Sequence, residues 1–450
     1  MFDRAALDRY LREFQERPLP EAVARNLSVP ETGRVLSIYG PRRCGKSYYL
    51  FQLMRGLLAK GVGTDRILYL NFEDVRLSGL AFTDIEDVIR LQFELFPGAI
   101  GKRLFVFVDE PQNVPGWERA VRGLHDRGTF GLYITGSSAK LLSREISTSL
   151  RGRTLSYLLL SFSLSEFLSF RKIAVPSRLV AGTDQEALLK AHLAEYLRIG
   201  GFPEVAGAGD DGTRVRILTD YYNLIVYRDI VERHGIENRS FLKFLLNQLF
   251  TAYSREMSAH KIFNTAKSRG FGVGKKTVYE YIGHIEDALA VFLLRRWARS
   301  PKTRETSLPK AYLSDTGFSM LFAPSPDDLS HLAENAVYLE LKRAQNVDPL
   351  LELYYWKDRA GTCEVDFALR KRGKFIQLVQ VSQSIDSPDT LKRELRGLVA
   401  AARELDCHNL SIINWEREGA RESDGERIRL VPLWKWLLGH GLEQAPIESK

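Results

Sequence analysis

The sequence predicts an α/β protein whose first half folds around a parallel β-sheet. Two observations carry this prediction: short apolar runs recur along residues 35–160, and the segments between them have apolar residues at helical spacing. Strands that alternate with helices form parallel sheets covered by helices on both faces. The strand candidates are Val35–Tyr39, Ile67–Phe72, Leu104–Val108, Leu132–Thr135 and Leu155–Leu160, and two of the helical patterns are Ser47–Ala59 and Ile85–Leu95.

Composition limits the class of protein. The chain has 450 residues, which is too long for one hydrophobic core and predicts several domains. Its 44% hydrophobic content excludes a disordered chain, and its three cysteines exclude a disulfide framework. The first residues predict an amphipathic helix rather than a signal peptide, and the most apolar segment, Tyr157–Phe170, is shorter than the ~20 residues of a membrane helix. We therefore expect a cytoplasmic protein with no membrane contact.

The pattern changes twice after the predicted sheet. Helical patterns replace strands from Phe170 to about residue 252. Strand candidates return beyond residue 330 at Leu353–Trp356, Cys363–Leu369 and Phe375–Ser382, and a helical pattern follows in Ser387–Leu405. The polar run Glu416–Arg427 is interpreted as a solvated loop.

A phosphate-binding loop follows the first strand candidate. Residues 40–47 read GPRRCGKS, which satisfies the pattern G-x-x-x-x-G-K-[ST] between a strand and a helix. Backbone N–H groups and the helix amino terminus bind phosphates in such loops. Lys46 is expected to contact the β- and γ-phosphates, and the Ser47 hydroxyl to bind Mg²⁺. The expected nucleotide-binding residues are Gly40, Pro41, Arg42, Arg43, Cys44, Gly45, Lys46, Ser47 and Tyr48.

Two carboxylates complete this expected site. Residues 104–110 read LFVFVDE, an apolar run that places Asp109 and Glu110 at the carboxyl end of a buried strand. Asp109 is expected to hold the Mg²⁺ shell, and Glu110 to orient and deprotonate an attacking water. The sequence therefore predicts hydrolysis of ATP or GTP in addition to binding.

Four further polar residues are candidates for the same chemistry. Ser137 follows the fourth strand candidate and could contact the γ-phosphate or the water, with Thr135 as the reserve; loop capping is the alternative. Arg151 and Arg153 precede the fifth strand candidate, where an arginine could reach the nucleotide of a neighbouring subunit and stabilise transition-state charge. Two solvent-exposed arginines beside a glycine turn are the alternative reading.

The order of these motifs resembles that of a known family. GPRRCGKS, VDEPQNVPGWE, TGSSAKLLS, RGRTLSYLLLSFSLSEF and IGGFPEV, within residues 30–400, resemble the prokaryotic AAA-type ATPases of the archaeal-ATPase clade. The resemblance implies a P-loop AAA core, a helical lid, a winged helix-turn-helix and a C-terminal α/β domain of the restriction-endonuclease, PD-(D/E)xK-like type. It also implies ATP rather than GTP, and an adenine-proximal role for Gly201 and Pro203, which could equally end a helix.

A basic segment coincides with the expected winged helix. Ser258–Lys267 and Lys275–Ala288 are two helical patterns joined by a glycine-rich turn, with strand candidates at Leu289–Arg296 and Lys310–Leu313. Residues 254–310 contain 12 Lys and Arg against 5 Asp and Glu, a net +7 of the chain's +8. Lys275, Lys276, Thr277 and Tyr279 lie off the apolar face of the second helix, where they could meet DNA. Winged helices also bind proteins, so a protein partner stays open.

The expected nuclease-like domain departs from the pattern of an active nuclease. The resemblance places an acidic helix residue at Glu340, an aspartate at Asp366, and Gln380-x-Ser382 where active enzymes have Glu-x-Lys. We expect a degenerate domain, although a lysine from elsewhere, such as Lys342 or Lys374, could restore a metal site formed by Glu340, Asp366 and Gln380.

These expectations combine into one hypothesis with two alternatives. The expected protein is a Mg²⁺-dependent ATPase whose nucleotide state changes how a winged helix and a nuclease-like tail engage duplex or branched DNA. The alternatives are a switch that acts on protein partners and a metal-dependent nuclease, and an oligomer is left open. The expected divisions are 1–30 (helical segment), 31–170 (ATPase core), 171–238 (lid), 239–315 (winged helix) and 316–450 (tail).

Overall fold

The computed structural model describes residues 3–137, 152–175, 183–322 and 329–440. The chain divides into two compact units. Residues 1–159 with 287–289 form the first unit, and residues 160–286 with 290–450 form the second. Within the described ranges, every helix is too short or too polar to cross a bilayer.

A parallel sheet of five strands organises the first unit, with the strand order β2-β3-β4-β1-β5. All four pairings between neighbouring strands are parallel, so the predicted parallel sheet is confirmed. The strands are β1 Val35–Tyr39, β2 Ile67–Asn71, β3 Leu104–Asp109, β4 Phe130–Gly136 and β5 Thr154–Leu158. The helices are Arg4–Glu16, Lys46–Ala59, Ile85–Leu95 and Trp117–Asp126.

Helices cover both faces of this sheet. Leu68, Val106 and Leu132 pack in one core with side chains from helices 4–16, 85–95 and 117–126. Their strand neighbours Tyr69, Phe107 and Tyr133 pack in a second core with helix 46–59. Successive side chains of a strand point to opposite faces, so two cores from alternate residues require cover on both sides.

The first part of the second unit is helical and includes a small antiparallel sheet. Its helices are Leu164–Phe170, Asp184–Ile199, Pro203–Gly207, Asp211–Leu224 (continued by the π-helical segment Ile225–Glu232), Arg239–Thr251, Ala259–Ser268, Lys275–Asp287, Pro301–Thr306 and Ser319–Phe322. The strands β6 Arg255–Glu256, β7 Val291–Leu294 and β8 Lys310–Leu313 pair in the order β6-β8-β7. Helices 259–268 and 275–287 thus lie between β6 and β7 in the chain.

The remainder of the second unit is a mixed sheet of six strands, in the order β13-β14-β12-β11-β10-β9. Helix Pro388–Leu405 packs on it through a core that includes Leu398 and Ala402. The strands are β9 Leu351–Lys357, β10 Glu364–Lys371, β11 Lys374–Val381, β12 Leu410–Asn414, β13 Gly419–Ser423 and β14 Glu426–Pro432. The other helical segments are Leu329–Val347, Leu433–Lys435 and the π-helical Trp436–His440.

The interpretation of Glu416–Arg427 as a loop is wrong. Most of this run forms the edge strand β13 and the start of β14, which pair antiparallel. Asp424 and Gly425 both have positive φ, of 50° and 82°, as the two central residues of a tight hairpin turn require. An edge strand can be polar on both faces, so its composition resembles that of a loop.

Candidate functional site

The predicted phosphate-binding loop lies between the end of β1 and the helix that begins at Lys46. Gly45 has φ 97°, a conformation that side chains rarely tolerate, so a glycine is needed there. A Cβ on Gly40 would lie 2.0 Å from the carbonyl oxygen of Leu159. The loop backbone therefore packs directly on the chain that follows β5, and only glycine fits at position 40.

The Lys46 side chain folds back into this loop. Its Nζ donates hydrogen bonds to the carbonyl oxygens of Gly40, at 3.2 Å, and Pro41, at 3.1 Å. It also lies 3.6 Å from Glu110 Oε1. The ammonium is therefore held at the loop by acceptors that a phosphate group could replace with stronger, charge-assisted bonds.

Asp109 ends β3 and is almost completely buried. The Tyr69 hydroxyl donates to its Oδ2 at 3.0 Å, the Thr135 hydroxyl donates to its Oδ1, and the Ser47 hydroxyl is hydrogen-bonded to it as well. Burial and the neighbouring Glu110 raise the pKa of Asp109 above its usual range. Two hard oxygen ligands, Ser47 and Asp109, are thus in contact, which is a donor set that suits Mg²⁺.

Glu110 directly follows this strand in a strained backbone conformation. Its φ of 53° lies in the left-handed region, which a residue other than glycine adopts only where its surroundings enforce it. Its carboxylate accepts a hydrogen bond from the Gln112 amide and faces Lys46. The strain directs the carboxylate to the phosphate-binding loop.

Ser137 and Thr135 lie two residues apart near the end of β4 and have different surroundings. The Thr135 hydroxyl is bonded to Asp109. The Ser137 hydroxyl is fully buried and has no hydrogen-bond partner among the described residues. A buried polar group without a partner is costly, so this hydroxyl is a candidate for contact with a ligand.

The sequence analysis missed residues that support the loop from outside it. The Arg25 guanidinium donates to the Cys44 carbonyl oxygen at 2.8 Å, and the Gln52 side chain bonds to the Arg25 backbone. Tyr69 was missed in the same way. No local motif marks Arg25 or Tyr69, because their contacts join segments 19 and 40 residues apart.

The other residues of the loop are placed as follows. Cys44 is fully buried, its thiol contacts the Leu159 carbonyl oxygen at 3.1 Å, and burial raises the pKa of this thiol. Arg42 lies 3.5 Å from Glu73, Arg43 has φ 63°, and Tyr48 is half exposed. Cys44 therefore acts as a packing residue rather than a reactive thiol.

The two arginine candidates have different outcomes. Arg151 lies outside the described residues. Arg153 precedes β5, its carbonyl oxygen accepts from Val35 N at 3.0 Å, and its guanidinium lies 3.4 Å from Asp126. It therefore sits at the amino end of the strands, about 16 Å of strand away from the loop at their carboxyl ends. Contact with the nucleotide of its own subunit is excluded, and contact with that of another subunit stays a prediction.

Gly201 and Pro203 lie in the second unit. Gly201 N donates to Asp315 Oδ2 at 2.8 Å, and a Cβ on Gly201 would lie 2.3 Å from the Phe162 carbonyl oxygen. Pro203 is the first residue of helix 203–207. These contacts give both residues a structural role, and the adenine-proximal role stays a prediction.

The second candidate site needs a correction, because Glu340 does not share a site with Asp366. Glu340 pairs with Arg343 at 2.9 Å on helix 329–347. The helix residue near Asp366 is Glu334, six positions earlier. Six positions rotate a side chain by about 240° and shift it by about 9 Å, so the two glutamates face different sides. Sequence alone could not decide which glutamate of the helix faces the strands.

The lysine next to Asp366 was also missed. Lys310, on β8, contacts Asp366 at 2.8 Å and Glu334 at 3.1 Å. Lys342 instead bonds to Gln345, and Lys374 is exposed at the opposite end of β11 from Gln380. The Gln380 side-chain oxygen accepts from Asp366 N at 3.2 Å, so it is committed to the backbone. Among the described residues, no group of three His, Cys, Asp or Glu side chains is arranged to hold a metal ion.

The basic helices of the second unit present charge to solvent. Lys275, Lys276 and Tyr279 on helix 275–287 are exposed, and so are Lys267 and Arg269 before the turn. Two other basic residues of the same segment are not available to a ligand. Lys310 is buried, and Arg296 donates to the carbonyl oxygens of residues 357 and 358. Exposed basic residues therefore lie on both sides of the turn between the two helices, and Arg295, Arg299 and Lys302 of the same segment are exposed as well.

Comparison with known families divides the chain into three parts. Residues 32–168 match the AAA domain family. Residues 190–325 and 329–436 each match a domain of unknown function, DUF8612 and DUF4143.

Similar proteins and structures are known from several organisms. The Walker-type ATPase PABY2304 of Pyrococcus abyssi has a TM-score of 0.41 at 16% identity, covering 72% of this chain and 96% of that one. Cdc6p of Pyrobaculum aerophilum has a TM-score of 0.26 at 14% identity, covering 75% and 93%. An uncharacterized protein of Haemophilus influenzae is 29% identical over 79% of this chain and 84% of its own length.

One relative extends over nearly the whole chain. The uncharacterized protein MJ1544 of Methanocaldococcus jannaschii is 34% identical over 440 residues, which are 93% of this chain and 94% of that protein. An identity of 34% over 440 aligned residues shows common descent along the AAA domain and both following domains. The chain therefore belongs to the same protein family as MJ1544, a family with an AAA-type P-loop domain at residues 32–168 of this chain.

Proposed function

We propose that the protein binds and hydrolyses ATP with Mg²⁺ at the loop of residues 40–47, and that the bound nucleotide controls how the second unit engages DNA. The observation that carries the first part is the convergence on this loop of Lys46, the Ser47–Asp109 pair and Glu110. ATP is preferred to GTP because of the family resemblance, and the sequence has no Asn-Lys-x-Asp motif for guanine.

Each residue of the site has a defined role in this proposal. Lys46 exchanges its carbonyl acceptors for the β- and γ-phosphates, and Ser47 and Asp109 hold Mg²⁺, which neutralises phosphate charge when bound. Glu110 accepts a proton from the attacking water, because its carboxylate follows Asp109 and faces Lys46 at the loop. Ser137 supplies to the γ-phosphate or to the water a hydroxyl that has no hydrogen-bond partner among the described residues.

The DNA part of the proposal rests on the helices around the small sheet. The chain order β6, two helices, β7, β8 and the strand order β6-β8-β7 support a winged helix-turn-helix. Exposed Lys275, Lys276 and Tyr279 lie where a recognition helix contacts bases and phosphates. In this proposal residues 239–315 form the winged helix-turn-helix and residues 171–238 form the helical lid.

Contact with DNA is proposed for the helix pair and not for the segment between β7 and β8. In that segment Trp297 N donates to the Tyr355 carbonyl oxygen of β9 at 2.7 Å. The Trp297 ring also lies between the guanidinium groups of Arg304 and Arg370, at 4.5 and 4.7 Å from its centroid. The segment that would form a wing is therefore fastened to the six-stranded sheet.

The test is DNA binding by the full chain without nucleotide, with ADP and with ATP. Glu110→Gln is used to keep ATP intact, and Lys46→Ala is the control for loss of nucleotide. We expect salt-sensitive binding that differs between ATP and ADP and becomes independent of nucleotide in Lys46→Ala. Absence of DNA binding in every state, together with normal ATP hydrolysis, would favour a switch that acts on protein partners.

A further inference from the structure

A single buried lysine lies at the centre of the acidic cluster in the second unit. Lys310 Nζ is 2.7 Å from Glu364 Oε1, 2.8 Å from Asp366 Oδ1 and 3.1 Å from Glu334 Oε1. The Lys310 side chain is 4% exposed. The three carboxylates come from strand β10 and from helix 329–347, whereas the lysine comes from β8 of the small sheet.

The ammonium and the carboxylates depend on each other. Burial alone would lower the pKa of Lys310, but Asp366, Glu334 and Glu364 raise it well above its ordinary value. Removing one partner of a buried ion pair leaves an uncompensated charge, which is strongly destabilising. Each carboxylate has a further fixed contact, such as the Tyr312 hydroxyl on Glu334 and Val381 N on Asp366. The cluster is therefore built around a positive charge at this point.

With the ammonium in place the described residues form no group arranged to hold a metal ion, but carboxylate oxygens around one point are also the ligands that a divalent cation prefers. Here that point is filled by an ammonium that belongs to another sheet of the same chain. We propose that Lys310 takes the place of a divalent cation in the acidic cluster of the six-stranded sheet, and that this cluster serves as a socket that fixes the small sheet to the larger one.

A second set of contacts also joins the small sheet to the six-stranded sheet. Lys357 on β9 lies 3.0 Å from Glu256 of β6 and 3.3 Å from Glu364. The Tyr355 hydroxyl donates to the carbonyl oxygen of Leu308, just before β8, at 2.5 Å. An ion pair and a hydrogen bond thus join the small sheet to the six-stranded sheet in addition to Lys310, which supports a structural role for the cluster.

The proposal predicts that a divalent cation can replace the lysine when its side chain is shortened. Thermal unfolding of the full chain is measured with and without Mn²⁺ for the natural protein, for Lys310→Ala and for Lys310→Ala with Asp366→Asn. Lys302→Ala, at an exposed lysine of the same segment, is the matched control. Any effect of Mn²⁺ at the ATP site is common to all four proteins and is subtracted.

We expect Lys310→Ala to unfold at a lower temperature and to regain at least half of that loss in Mn²⁺. The natural protein and the Lys302→Ala variant should respond to Mn²⁺ no more than the common effect, and the added Asp366→Asn should abolish the recovery. Equal stability of Lys310→Ala and the natural protein, or a loss that Mn²⁺ does not restore, overturns the proposal.

Two further measurements cover a failure to fold and a catalytic role. If Lys310→Ala does not fold, Lys310→Met with Glu334→Gln and Asp366→Asn removes charge on both sides, and the proposal requires this variant to fold. Its failure to fold contradicts the proposal.

Plasmid DNA incubated with the natural protein in Mg²⁺ or Mn²⁺ should stay intact. Cleavage that Lys310→Met abolishes would make the lysine catalytic and overturn its role as a counter-charge.

Discussion

Two hydroxyl groups near the end of β4 have different surroundings in the proposed ATP site. Thr135 lies in β4, and Ser137 follows Gly136, the last residue of that strand. Thr135 holds Asp109, and Ser137 is buried without a partner among the described residues. We infer that Thr135 positions the metal ligand and that Ser137 is kept for the substrate.

Replacing Ser137 by alanine should therefore separate activity from stability. We expect ATP turnover to fall by about 10- to 100-fold, the loss of one transition-state hydrogen bond. The free energy of unfolding should stay within about 1 kcal/mol or rise, because the variant removes a buried hydroxyl that has no hydrogen-bond partner within the described part of the chain. Urea unfolding and steady-state kinetics measure both. Thr135→Val is the control and should lose stability as well as turnover.

The carboxylate of Glu110 supports a second prediction at this scale. Glu110→Gln should bind ATP with an affinity close to that of the natural protein, because phosphate contacts come from the loop and Lys46. Its hydrolysis rate should fall by about 10²- to 10⁴-fold, as for other general bases. Fluorescent-nucleotide binding and phosphate release measure the two. Unchanged hydrolysis would assign the base to another residue.

Sequence predicted the residues of this site best where the motif is local. The positions from Gly40 to Ser47 follow from spacing alone, because one loop must wrap one phosphate chain. Glu334 and Lys310 could not be found in this way. Glu340 and Glu334 occur on the same helix, and only packing against β10 and β11 selects Glu334. Lys310 meets Asp366 from 56 residues away in the chain.

At the scale of elements, the helix pair 259–268 and 275–287 carries the proposed contact with DNA. Helix 275–287 buries Val278, Ile282 and Ile285 and leaves Lys275 and Lys276 exposed. Phosphate contacts by exposed lysines release counterions, so affinity falls with salt in proportion to their number.

Replacing both Lys275 and Lys276 by alanine should weaken binding to DNA of any sequence. The slope of log affinity against log salt concentration should become shallower by about 0.9 for each phosphate that the variant no longer neutralises. ATP hydrolysis in the absence of DNA should not change. The exposed Lys392 on helix 388–405 is the matched control. An equal effect of Lys392→Ala would assign the binding to overall charge.

The cluster around Lys310 has a pH dependence that can be measured. Burial and the charge of Asp366 raise the pKa of Glu334 from 4.5 to about 7. A raised pKa in the folded state stabilises below the ordinary pKa, and this stability is lost as the pH rises through 7. Between pH 5 and pH 8 the natural protein should therefore lose stability relative to Glu334→Gln. Denaturant unfolding measures this, and the exposed Glu422→Gln should show no such difference.

The prediction of strands failed where the composition of a segment is not typical of a strand. The sheet in the first unit was predicted because its strands are buried on both faces and contrast with the polar loops. The β13–β14 hairpin was missed because an edge strand can be polar on both faces. Its Asp424–Gly425 turn is a local hairpin signal, and it would have found the hairpin if weighed above polarity.

At the scale of the whole molecule, the chain combines an AAA-type P-loop domain with a second unit of helices and two sheets. The order of helical and strand-rich regions could be predicted from the sequence, because the hydrophobic period and the turn residues of each segment depend only on residues close together in the chain. It could not predict which modules share contacts. Lys310, Lys357 and Trp297 join the small sheet to the six-stranded sheet through residues that lie far apart in the chain. These contacts join the two sheets within the second unit.

The most direct measurement is the rate of ATP hydrolysis by the full chain with and without duplex DNA. The natural protein is compared with Lys46→Ala and with Lys275→Ala/Lys276→Ala at low and at physiological salt. We predict that DNA changes the rate of the natural protein, that Lys46→Ala is inactive in both conditions, and that the double variant keeps its basal rate but no longer responds to DNA. A rate in the natural protein that is identical with and without DNA at both salt concentrations would contradict the coupling.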